Sequence, residues 1–85
     1  MASVQMYTTR SCGYCRAAKA FLERHKGVEV EEIDLTTDPE ARRALAARTG
    51  QRTVPQIFVG EHHVGGYTDL RALDAAGGLD PLLAE

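Results

Sequence analysis

The sequence predicts a small α/β domain, a four-stranded mixed sheet with helices on both faces, in the order β-α-β-α-β-β-α. Three observations predict it. Short alternating apolar runs are interleaved with segments of helical period. Glycines and two Asp-Pro pairs punctuate the segments. The 85 residues, 44% of them apolar, allow one domain over 1–85 with a modest core.

The first strand covers 3–8, where Val4 and Met6 face one side. A helix over 13–25 carries Tyr14, Ala17, Ala18, Phe21 and Leu22 on one stripe and stops at Gly27. The second strand runs from Val28 to Leu35. Its alternation slips phase at Glu31-Glu32, which predicts a bulge or bend. Asp38 caps a second helix with Pro39 at its first position, and Gly50 ends it near Thr49. Gln56 to Val59 is a third strand, which Gly60-Glu61 turns into a short fourth strand at His62 to Val64. Gly65-Gly66 breaks that strand. A third helix runs from about Thr68 to Ala76, and Asp80-Pro81 starts a last helical turn. The first two strands should be parallel and the closing hairpin antiparallel.

Composition excludes several classes. A net charge of -2 gives no positive field for nucleic acid or a membrane surface. Residues 1–10 lack the apolar segment of a signal peptide, and no apolar run reaches membrane-spanning length. Two cysteines make a weak structural framework, and a bridge across so short a loop removes little chain entropy. A reducing, cytoplasmic compartment is therefore expected.

Those two cysteines carry the chemistry. Cys12-Gly13-Tyr14-Cys15 lies between a strand and a helix, the setting of a redox-active dithiol. With the helix starting at Gly13, Cys12 is its N-cap, and its sulfur can accept from the N–H groups of Tyr14 and Cys15. The helix N-terminus and the nearby Arg10, Arg16 and Lys19 favour an ionised sulfur. Cys15, one turn in, lacks those donors. Cys12 is the expected nucleophile and Cys15 the resolving thiol. A zinc site would need two more ligands, for which only His25, His62 and His63 are available, and these read as surface residues without a role. An acidic thiol gains thiolate and loses nucleophilicity in nearly equal measure; the gain that survives is as a leaving group.

Three motifs together resemble the glutaredoxin family: Cys12-Gly13-Tyr14-Cys15, Thr53-Val54-Pro55 and Gly65-Gly66-Tyr67-Thr68-Asp69-Leu70. Their order and spacing match over essentially the whole chain. The closing Leu73-Asp74-Ala75 and Gly77 to Leu83 look like the bacterial dithiol members. The resemblance implies a thioredoxin-like fold and glutathione-dependent reduction of protein disulfides and glutathione mixed disulfides, with glutathione as co-substrate.

The resemblance also implies a site. A cis Val54–Pro55 bond would turn the Val54 N–H and C=O outward beside the cysteines, to pair like a strand edge with glutathione. Thr53 and Pro55 belong to the same edge. Gly66 lets a ligand backbone approach, and the Tyr67 and Thr68 N–H groups at a helix start suit the γ-glutamyl carboxylate. Thr68 keeps a hydroxyl without a charge, so Asp69 is expected to meet the glutathione ammonium. Tyr67 is larger than the usual residue and can cover or crowd the site; Tyr14 walls the groove. The glycine carboxylate needs a cation, for which Arg42 matches the family position on the second helix and Arg10 stands beside the position of the family's Lys.

Gly13 departs from the Pro common in dithiol members. Some relatives lacking that Pro hold a [2Fe–2S] cluster between two subunits with glutathione as extra ligand, Cys12 here being the protein ligand. That leaves a second reading, a cluster-binding dimer acting as carrier or sensor, beside the enzyme, which is otherwise a monomer. A redoxin fed by thioredoxin reductase is a third, against which the glutathione-groove residues argue.

Overall fold

The computed structural model describes residues 2–85. Strand β1 (Val4–Thr8) is followed by α1 (Gly13–His25), β2 (Val30–Asp34), α2 (Pro39–Thr49), β3 (Gln56–Val59), β4 (His62–Gly65), α3 (Tyr67–Ala75) and α4 (Leu79–Ala84). The sheet order is β2-β1-β3-β4, with β1 parallel to β2 and antiparallel to β3, and β3 antiparallel to β4. This is the expected thioredoxin-like arrangement. No helix among the described residues is long and apolar enough to cross a membrane.

Strand alternation divides the core in two. Val4 and Met6 of β1, with Ile57 and Val59 of β3, meet Ala18, Phe21 and Leu22 of α1, Leu70 of α3 and Leu79 and Leu83 of α4. On the other face Phe58, Leu35 and Leu45 form a smaller cluster, joined by Tyr7, Ile33 and Ala41. All four residues of β3 are buried, as a strand covered on both faces requires.

The phase slip at Glu31-Glu32 is not a bulge. β2 pairs with β1 in unbroken register from Val4 opposite Val30 to Thr8 opposite Asp34. The strand serves both cores instead: Val28 and Val30 pack with the α1 side, Ile33 and Leu35 with the α2 side. Between them the two glutamates lie on an edge strand, where Glu31 accepts from Gln5 Nε2 at 2.7 Å and Glu32 pairs with Lys19 at 3.3 Å. The irregularity sits in β4, where Ile57 opposes Gly65 and Phe58 opposes His63, leaving Val64 extra.

Helix limits follow local chemistry. Asp38 accepts from the Ala41 N–H at 3.0 Å with Pro39 behind it, and Gly50 closes α2 at φ 76°. α3 begins at Tyr67, one residue earlier than expected. Tyr14 leaves the buried stripe of α1: it is 67% exposed, and Cys15 takes its place among the buried residues. His63 is half-buried against Phe58 at 4.8 Å between ring centroids, with Nε2 shielded, so it is not the surface residue expected.

α2 buries only Leu45. Leu45→Ala should therefore destabilise the domain by about 2–3 kcal/mol, near the low end for a buried leucine because the cluster is small. The guanidinium midpoint should fall while the m-value holds.

Candidate functional site: a dithiol between two clefts

Cys12 is the N-cap of α1, extended at φ -91° and ψ 105°. Its sulfur accepts the Cys15 N–H at 3.1 Å. That is the single side-chain cap, so the expected second bond from Tyr14 is absent among the described residues. The Cys12 thiol in turn donates to the Val54 carbonyl oxygen at 3.6 Å. The sulfur is thus held between a helix start and the loop before β3. Lys19, expected beside the sulfur, is paired with Glu32 on β2.

Cys15 is buried, and both cysteines are free thiols. Burial first, then the adjoining Cys12 sulfur, push the Cys15 thiol from 9.0 up to about 12, while the Thr9 backbone pulls the other way. Cys15 therefore keeps its proton through the neutral range. Cys12, partly exposed, is the sulfur that an incoming disulfide can reach. The two cysteines thus differ in exposure, and the hold on the Cys15 proton comes mainly from its burial.

Two clefts flank the pair. One, of about 150 Å³, is lined by Tyr14, Thr53, Val54, Pro55, Gly66, Tyr67, Thr68 and Asp69. It gathers every residue assigned to glutathione from the sequence except Arg10 and Arg42. The Val54–Pro55 bond is cis. Gly66 offers α3 no side-chain cap, and Asp69 supplies the reciprocal contact, its Oδ2 accepting the Gly66 N–H at 2.9 Å. Gly65, at φ +112°, has to be glycine: a Cβ there would lie 2.5 Å from Asp69 Oδ2. The second cleft, of about 250 Å³, is lined by Thr8, Thr9, Arg10, Cys12, Cys15, Arg16, Glu32 and Asp34.

Arg10 belongs to that second cleft. Its Nε lies 3.4 Å from Asp34 Oδ2, and its N–H donates to Thr36 Oγ1 at 2.9 Å. The Thr36 hydroxyl and N–H, then Arg10, hold the Asp34 carboxyl below its usual range. Arg42 lies on the exposed side of α2, in a cleft of about 630 Å³ shared with Arg43, Gly50 and Arg52. Arg52 directly precedes Thr53 and was missed in the sequence, where nothing distinguished it from a solvated loop arginine. Gln56 was missed too. It is fully buried and its Nε2 donates to the carbonyls of Gln51 at 2.8 Å and Thr53 at 3.0 Å, fixing the loop that carries Val54. A lone glutamine opening an apolar strand was the available signal. Gly13 is exposed and a Cβ there would meet nothing within 4 Å, so packing does not demand glycine.

A capped cysteine, a buried partner thiol and a cis-proline edge on this sheet define a thiol–disulfide oxidoreductase of the thioredoxin-like class. Comparison with known proteins narrows the class. The glutaredoxin family model matches residues 4–64. Glutaredoxin 3 of Escherichia coli K12 is 49% identical over 83 residues, covering 98% of this chain and 99% of the relative. A crystal structure of a buckwheat glutaredoxin–glutathione complex superposes with a TM-score of 0.88 at 32% identity, covering 98% of this chain and 77% of that one. A structure described as "Metal Binding of Glutaredoxins" is 51% identical with a TM-score of 0.73, covering 98% and 89%. The chain belongs to the glutaredoxin family.

The Cys15 shift sets a pH dependence. Below the unfolded value of 9.0 the thiol is protonated in both states; between 9.0 and about 12 the unfolded chain releases the proton first. Stability should therefore fall as pH rises through that window and hold below it. Cys15→Ser should flatten the fall. Lys26, raised above 10.5 by Asp74 and then Asp80, should leave a residual loss in that variant that sets in only as pH rises past 10.5. In the same samples at pH 8, peptide mapping after brief iodoacetamide treatment should find Cys12 alkylated and Cys15 intact.

Proposed function

We propose that the protein reduces glutathione mixed disulfides and protein disulfides at the expense of glutathione, in the cytoplasm, with Cys12 as nucleophile. The observation that carries this reading is the cleft running from Val54 to the start of α3, at whose Val54 end the Cys12 sulfur is held. Its likeness to a glutaredoxin solved with glutathione supports the same occupant.

The Cys12 thiolate attacks the glutathionyl sulfur of a mixed disulfide. A Cys12–glutathione bond forms, and the electron pair of the broken bond leaves on the protein thiolate. A second glutathione thiolate then attacks the glutathionyl sulfur of that adduct, giving oxidised glutathione and returning Cys12 as thiolate. For a protein disulfide, Cys12 attacks one sulfur and releases the other as a thiolate; Cys15 then gives its proton to a released substrate thiolate and attacks the Cys12 sulfur, breaking the mixed disulfide. The product is the Cys12–Cys15 disulfide, which two glutathiones reopen.

Binding follows the cleft. The Val54 backbone pairs with the cysteine residue of glutathione, which sets the incoming sulfur in line with Cys12. The γ-glutamyl carboxylate lies on the uncapped start of α3, at Tyr67 and Thr68, with Gly66 allowing close approach. Asp69 meets the ammonium through the carboxylate oxygen not engaged by Gly66. Tyr14, Thr53 and Pro55 form the walls. Arg42, with Arg52 in the same cleft, faces the glycine carboxylate. Arg10 is engaged with Asp34 and stands as the weaker of the two cation assignments.

A second reading rests on Gly13, which no packing contact requires, and on the likeness to a glutaredoxin structure concerned with metal binding. A [2Fe–2S] cluster takes four thiolate-type ligands. With Cys15 buried, one chain offers Cys12 alone, so two chains and two glutathiones would complete the set. Anaerobic reconstitution tests it: absorbance above 400 nm with a dimeric mass supports the carrier, and a colourless monomer opposes it.

The main reading predicts unequal roles. Cys12→Ser should abolish turnover. Cys15→Ser should retain deglutathionylation and lose direct reduction of protein disulfides; equal loss of deglutathionylation in both variants would contradict the assignment. Arg42→Ala should raise KM for a glutathionylated peptide roughly tenfold with kcat nearly unchanged, as expected when an exposed charge-assisted contact is held equally in ground and transition states. Glutathione with glutathione reductase should drive the cycle, and thioredoxin reductase should not.

A further inference from the structure

Tyr67 opens α3, and Arg71 follows one turn later on the same face. Arg71 Nη1 donates to the Tyr67 hydroxyl at 2.9 Å. The same guanidinium lies 4.7 Å from the centre of the Phe21 ring and 5.9 Å from that of Tyr67. Phe21 is buried in α1. Tyr14 lies seven residues earlier on that helix, two turns away on the same side. Its ring faces Tyr67 at 6.1 Å between centroids, tilted 31°. The side chains form one ladder along the α1–α3 seam, from Tyr14 through Tyr67 and Arg71 to Phe21.

We propose that Arg71 is a positioning residue that determines glutathione affinity by pinning the Tyr67 ring against Tyr14, so that the cleft keeps a fixed aromatic corner. The proposal rests on the glutathione reading above and deepens it.

The physical reason is in the geometry. Both tyrosines line the 150 Å³ cleft, and Tyr67 is half-buried while Tyr14 is mostly exposed. A tyrosine at a helix start has no preceding turn to hold it. Swinging about its first side-chain torsion, its ring would sweep across the cleft that it lines. Arg71 removes that freedom from two directions. Its flat fork binds the hydroxyl, and its face is fixed on Phe21, which the core immobilises. The ring then meets the ligand already ordered, so no binding energy is lost in ordering it. The Cys12 sulfur is bonded to Val54 and Cys15 and to neither of these side chains, so the effect falls on KM and not on kcat. A substrate disulfide that does not enter this corner is indifferent to it.

Arg71→Met, Tyr67→Phe and the double variant test this. Arg71→Met keeps an unbranched chain over Phe21 and loses the donor; Tyr67→Phe keeps the ring and loses the acceptor. Each single change should raise KM for a glutathionylated peptide about fivefold, the effect of losing one ordinary hydrogen bond, and the double should also be about fivefold. In Arg71→Met, kcat and KM for a protein disulfide free of glutathione should stay at wild-type values. Nuclear Overhauser contacts between the Tyr14 and Tyr67 rings should be present in the free wild type and lost in Arg71→Met. Persistence of those contacts in Arg71→Met overturns the proposal. So do multiplying effects in the double variant, or equal losses on both substrates that track a lowered Tm. A wild type that shows the ring contacts yet has no preference for the glutathionylated substrate overturns the glutathione reading, and with it the role given to Arg71.

Discussion

The hydrogen bond from the Cys15 amide to the Cys12 sulfur joins the fold to the chemistry. It satisfies an amide that the start of α1 would otherwise leave without a partner, so Cys12 is also a structural cap. It fixes the sulfur at a point that the Val54 carbonyl reaches from the other side. It places Cys15 one turn down, inside the protein, where burial holds the thiol protonated. Two chemically identical side chains become different because one ends a helix and the other enters the core beneath it.

The sheet makes this arrangement durable. β1 delivers the chain to the Cys12 turn and β3 leaves from the Val54 loop, and the two strands are hydrogen-bonded neighbours, Val4 opposite Val59 through Tyr7 opposite Gln56. Gln56 extends that order into the loop by holding the Gln51 and Thr53 carbonyls from inside. At the far end of α1, Lys26 ties the helix to Asp74 of α3 and Asp80 of α4, at 2.6 and 2.9 Å. α3 is thereby set against α1 from both ends, and its first residues form one wall of the cleft beside the cysteines. Few of the cleft residues need to be rigid by themselves, because the elements that carry them are fixed to the same core.

Much of this was legible in the sequence where the signal is local. Asp38-Pro39, Gly50 and Gly27 marked helix limits through backbone chemistry that acts within a few residues. Thr53-Val54-Pro55 and the Gly66 turn line one cleft, and the Cys12 thiol donates to the Val54 carbonyl at its side. Long-range features were less legible. The slip at Glu31-Glu32 has the pattern of a bulge when a strand is assumed to serve one core, but β2 serves two. The true bulge at Val64 was hidden because Gly65 looked like the end of the strand. Tyr14 fits the helical period, yet stands in the first turn of α1 and is left exposed. Arg71 was hard to read because it rests on Phe21, distant in sequence, and Gln56 because its importance comes from burial. Tyr67 and Arg71 did stand four apart, a spacing that could have suggested their contact.

The proposed function stands or falls with glutathione in the cleft between Val54 and the start of α3, its sulfur on Cys12. Cys15→Ser trapped as the Cys12–glutathione mixed disulfide tests it most directly, through intermolecular Overhauser contacts measured on labelled protein. Contacts are expected from the glutathionyl group to Tyr14, Val54, Pro55 and the Gly66–Asp69 turn. Contacts confined to the opposite cleft, at Thr9, Arg10, Arg16 and Asp34, would contradict it.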